Sequence, residues 1–64
     1  MRANEFSFIY RDSNKEEYNI QVRYHTTNSF IINRDRDQFS TPQEYSRCLY
    51  QARDLIEFNE MADD

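Results

Sequence analysis

Sixty-four residues allow one small domain with a modest core, and a single cysteine and a single histidine leave it neither a disulfide framework nor the usual ligands of a zinc site. The formal charge of −4 is repelled at long range by phosphate backbones and anionic membranes, which makes a basic protein surface a better default partner than nucleic acid. Glycine is absent, so phosphate-cradling glycine loops and dinucleotide fingerprints, which need it for close backbone approach, are excluded.

Met1 to Glu5 is expected to be a loosely held lead-in. It has no apolar run of the kind a signal peptide needs, and no stretch approaches the length of a membrane span, so a cytoplasmic location is expected. Residues 6–11 alternate with period two, placing Phe6, Phe8 and Tyr10 on one face of a strand. Asp12 to Glu16 reads as a polar turn with Asn14 in its left-handed position. Residues 18–25 alternate most cleanly: Tyr18, Ile20, Val22 and Tyr24 point one way, and Asn19, Gln21, Arg23 and His25 the other. Thr26-Thr27-Asn28 then forms a second turn with Asn28 left-handed, and residues 29–33 supply a short third strand. Asn33 to Gln38 alternates charge and reads as a solvated connection.

From Phe39 onward the hydrophobic period changes to that of a helix, expected over residues 42–61. Tyr45, Cys48, Leu49, Ala52, Leu55 and Ile56 share a face. Thr41 caps the start, Pro42 suits the first helical position and Glu44 completes a capping box. The expected fold is α+β, a three-stranded antiparallel meander sheet with one C-terminal amphipathic helix packed on one face, in one domain spanning residues 1–64. Tyr45, Leu49, Ala52 and Ile56 are expected to cover Phe6, Phe8, Ile20, Val22, Phe30 and Ile32, with Phe39 under the helix entrance.

Two surfaces remain as candidate sites. On the outer face of the helix, Tyr50 and Phe58 stand among Arg47, Asp54 and Glu57, the composition of an aromatic interface anchor ringed by charge. Residues 37–64 hold seven acidic and two basic side chains, a local charge of −5, and Glu57, Glu60, Asp63 and Asp64 crowd the negative end of the helix dipole. Local stability does not explain carboxylates there; solubility and a frayed tail are one account, and recognition of a basic surface, including partial mimicry of a phosphate backbone, is the other. The open sheet face carries Ile9, Arg11, Gln21, Arg23 and Ile31, a second candidate able to engage carboxylates or base edges.

Phe39-Ser40-Thr41-Pro42-Gln43-Glu44, leading into a helix after three strands, resembles the corresponding piece of phage-integrase arm-site-binding domains and plant ethylene-response-type DNA-binding domains. Those families read DNA with the open sheet face, so the resemblance implies roles for Arg11, Arg23 and Gln21. Two arginines on that face and a net acidic chain make a sparse DNA footprint.

His25 and Cys48 are the one pair that suggests nucleophilic catalysis, and the periods place them on opposite sides of the sheet, beyond hydrogen-bond reach. No enzyme, cofactor or metal is expected. The leading expectation is a small acidic binding protein that occupies a surface of a larger protein, similar in size and charge to small phage or mobile-element inhibitors and nucleic-acid mimics. The alternatives are a nucleic-acid-binding module using the sheet face and a small subunit of a larger assembly. Homo-oligomerisation is a further expectation, because a domain this small and unstapled is often helped by self-association.

Overall fold

The computed structural model describes residues 4–62, with the side chains of Met61 and Ala62 left aside. The chain forms strands β1 (Asn4–Arg11), β2 (Glu17–Thr26) and β3 (Ser29–Ile32), then a helix α1 (Pro42–Ala62). The sheet is an antiparallel meander in the order β1-β2-β3, as the alternating patterns and short turns predict. β1 starts at Asn4, so part of the expected lead-in is strand; Met1 to Ala3 lie outside the described residues. Asn4 faces Tyr24 and Arg11 faces Glu17 at the two ends of the β1–β2 register.

The first turn is organised by the buried Asp12. Its carboxylate oxygen Oδ1 accepts the backbone N–H groups of Asn14 at 2.9 Å and Glu16 at 2.8 Å, and its carbonyl accepts that of Lys15 at 3.0 Å. Lys15, not Asn14, takes the left-handed conformation, with φ 68°. A tight turn closed by one left-handed residue places that residue fourth, and Asp12 already holds Asn14 before it. Asn28 is not left-handed either. There the register slips by one residue between Tyr24 and Thr26, and Thr26 Oγ1 accepts the Asn28 N–H at 3.2 Å. The bulge supplies the bend that a left-handed residue would have supplied. β3 ends at Ile32; Asn33 prolongs its ladder, donating its N–H to the Gln21 carbonyl and accepting the Gln21 N–H on its side chain.

The link to the helix is more structured than a solvated run. Arg36–Gln38 makes a single 3-10 turn, and Gln38 Oε1 accepts the Asp35 N–H at 2.8 Å. Arg34 is half-buried with its guanidinium 5.1 Å from the centre of the Tyr18 ring. Phe39 is buried where the chain turns into α1, stacked on Tyr18 and edge-on to Tyr10 and Tyr45.

α1 lies over β2. The core comprises Tyr10, Ile20, Val22, Tyr24, Phe39, Cys48, Ala52 and Ile56, with Phe6, Phe8, Tyr18, Phe30, Ile32 and Tyr45 at its margin. Each large side chain buried in this way contributes roughly 1.5–3 kcal/mol. Leu49 departs from expectation: it is half-buried and outside this cluster. The helix presents Glu44, Cys48, Ala52 and Ile56 innermost, because small side chains at Cys48 and Ala52 permit close approach to the sheet and rotate Leu49 to the flank. No helix among the described residues is long and apolar enough to cross a membrane.

Candidate functional site

The start of α1 is fixed by a polar junction that period and capping rules do not reveal. Thr41 Oγ1 accepts the Glu44 N–H at 3.2 Å, half of the expected capping box. The buried Glu44 carboxylate reaches away from the helix. It accepts the Tyr10 hydroxyl, the Ser13 hydroxyl at 2.6 Å and the Ser13 N–H at 3.3 Å. The fold brings the first hairpin turn under the helix start, and its donors compete with the local backbone for the carboxylate, which leaves the other half of the capping box unmade. The Ser13 hydroxyl bond, followed by that from Tyr10, holds the Glu44 carboxyl below its ordinary pKa. Burial first, and then the bond to Glu44, pushes the Tyr10 phenol upward. This junction orients α1 and thereby decides which face points outward.

The outward face carries the first set of candidates. Tyr50 is 67% exposed and Phe58 65% exposed, eight residues apart and therefore about 12 Å along the axis. Asp54 and Glu57 are exposed between them on the same side, opposite Cys48 and Ala52. Tyr50 borders a shallow groove of about 380 Å³ with Pro42, Gln43, Ser46 and Arg47; Phe58 stands apart from it. Neither Asp54 nor Glu57 belongs to an ion pair among the described residues, and the last turn has no basic side chain. Glu60 is exposed, while Asp63 and Asp64 lie outside the described residues.

The sheet face is organised differently. Arg23 directs Nη2 at 2.7 Å and Nε at 2.8 Å to Glu5 Oε2, and Arg11 pairs with Glu17. Both are direct cross-strand neighbours. Glu5 and Glu17 were missed in the sequence although a signal existed: a hairpin turning at Asn14 sets Glu5 opposite Arg23 and Glu17 opposite Arg11. Both pairs are exposed and each is worth at most about 1 kcal/mol, but they cancel the charge of the two arginines. Gln21, Arg23 and Ile31 line a shallow depression of about 490 Å³ with Glu5, Ser7 and Asn33. Ile9, 57% exposed, is not among its lining residues; its register position is opposite Asn19, whereas Ile31 lies opposite Arg23. The two isoleucines are therefore separate apolar points.

Cys48 is fully buried as a free thiol, and burial pushes its pKa up to about 11, so it is protonated near neutral pH. His25 is exposed on β2, within the register slip between Tyr24 and Thr26. No family model, curated protein or solved structure matches the chain.

Proposed function

We propose that this chain is a non-enzymatic binding protein that occupies a basic surface of a larger protein, using the outer face of α1. The observation that carries the proposal is the exposure of Tyr50 and Phe58 on the face that holds Asp54 and Glu57, which form no ion pair among the described residues. Neither ring belongs to the core cluster. Aromatic side chains of this kind, flanked by charge, supply contact area and orientation to a docked partner. The acidic side chains would steer approach through their long-range field, and the rings would hold the complex once water is expelled.

The sheet face supports nucleic-acid binding less well, since Arg11 and Arg23 each already meet a glutamate. A phosphate group would have to displace those carboxylates in a chain that is itself net negative.

The test is an affinity pull-down from native host lysate, read by mass spectrometry, with and without nuclease. Three baits are compared: the wild-type chain, Tyr50→Ala with Phe58→Ala, and Arg11→Ala with Arg23→Ala. The proposal expects a protein recovered independently of nuclease, lost with the aromatic pair and kept with the arginine pair. Recovery that needs nucleic acid, or is lost only with the arginines, would contradict it.

A further inference from the structure

A different part of the molecule, the free edge of β1, carries an inference of its own. The Gln21 carbonyl accepts the Asn33 N–H, and the Gln21 N–H donates to the Asn33 side chain. Odd-numbered positions of β2 therefore turn their backbone groups toward β3, and even-numbered positions toward β1. The register pairs even with even across β1 and β2, as does the Asp12 N–H bond to the Glu16 carbonyl at the turn. Glu5, Ser7, Ile9 and Arg11 are left with both N–H and C=O pointing out of the sheet. Among the described residues no strand meets them.

Edges of this kind are normally blunted by short length, proline, charged side chains (lysine above all) or a bulge. β3 follows that rule, with four residues and a register slip against β2. β1 has only two charged side chains, Glu5 and Arg11, each already paired with a neighbour on β2; it has eight residues, contains neither proline nor lysine, and keeps an unbroken register with β2.

We propose that β1 is a homodimer interface, in which a second copy of the chain pairs with it antiparallel about a two-fold axis at Phe8, joining two sheets into one of six strands. The charges select this register. Centred on Phe8, Glu5 lies opposite the second copy's Arg11, and Ser7 opposite the second copy's Ile9. The row across the joined sheet then runs Arg23, Glu5, the second copy's Arg11, the second copy's Glu17, alternating in sign at every step. Centring on Ser7 instead would set Glu5 against Ile9, and a parallel arrangement would set like charges together. On the helix side, Phe8 lies opposite its own copy, and Phe6 lies opposite the second copy's Tyr10 position, whose side chain is already buried in its own core. Phe6 and Phe8 are only half-buried at the core margin in the single chain, and pairing covers them. The two helices lie on one side of the joined sheet, and the outer faces of both remain free.

Sedimentation velocity of the full chain across a concentration series tests this, with circular dichroism as the control for folding. The expected result is a reversible dimer with a micromolar dissociation constant. Ser7→Pro removes an outward N–H at an edge position that tolerates proline, and should weaken the dimer at least about 100-fold. Glu5→Lys and Arg11→Glu should each be monomeric alone, and an equimolar mixture should form a heterodimer, because every interface pair is then opposite in sign. The mixture decides the matter even if Ser7→Pro does not fold. A wild-type chain that stays monomeric to about 1 mM, or a mixture that does not associate while the wild type does, would overturn the proposal. So would a dimer indifferent to a folded Ser7→Pro. Tyr50→Ala should leave the dimer unchanged, which separates this test from that of the helix face.

Discussion

The inner and outer faces of α1 are built from one sequence and answer to different constraints. The inner line of Glu44, Cys48, Ala52 and Ile56 is buried, close-packed and fully engaged, down to a carboxylate shared between helix and hairpin turn. The outer line of Tyr50, Asp54, Glu57 and Phe58 is exposed, forms no ion pair among the described residues and lies outside the core cluster. Stability should therefore respond to the first line and binding to the second.

The largest effect is expected on the inner line. Ile56→Ala should cost roughly 2–5 kcal/mol, enough in so small a domain to remove most cooperative unfolding at room temperature. Thermal or urea denaturation followed by circular dichroism measures it. Phe58→Ala, two residues further on, should shift stability by less than about 0.5 kcal/mol. Equal losses for the two would erase the distinction between the faces.

Leu49→Ala is an intermediate case. A fully buried leucine at the centre of the stripe would cost as much as Ile56, but the half-buried flanking position should cost about 1 kcal/mol in the same denaturation assay. A loss as large as that of Ile56→Ala would rotate the helix back to the phase its apolar residues first suggest.

Glu44 sharpens the comparison through pH. Its carboxyl pKa is lowered in the folded state, so its contribution to stability is present above the unfolded glutamate value, about 4.3, and is lost as pH falls through the folded value. Glu44→Gln should remove that acid-side dependence and leave a flatter stability curve below about pH 4.3. Urea midpoints across that range, compared for wild type and variant, measure the difference. An undiminished slope in the variant would mean that the junction with Ser13 and Tyr10 does not carry the charge.

Most of the fold was legible in the sequence because its signals are local: the period-two strands, the turn at Asp12 to Glu16, and the Thr41-Pro42 helix start each need only neighbouring residues. What was hidden depends on distant partners. Glu44 reads locally as the end of a capping box, yet its partners come from thirty-one and thirty-four positions away. The helix phase turned on Cys48 and Ala52, whose small volumes set the approach to β2 although larger apolar neighbours dominate the pattern. Tyr50 and Phe58 were legible as exposed from helical spacing alone. The pairing of Glu5 with Arg23 and of Glu17 with Arg11 was legible too, once the first hairpin is centred on Asn14, because that centre alone sets the cross-strand partners.

The most direct test of the binding account is a salt-dependent kinetic titration against the recovered partner. Tyr50→Ala should leave folding intact and speed dissociation roughly 30-fold, about 2 kcal/mol, because a desolvated ring acts after docking. Asp54→Lys with Glu57→Lys should instead slow association about 10-fold at low salt, a difference that shrinks as the screening length falls to about 8 Å at physiological ionic strength. Arg11→Ala with Arg23→Ala should change neither rate. Unchanged rates for the helix variants, with binding lost only in the arginine pair, would contradict the account.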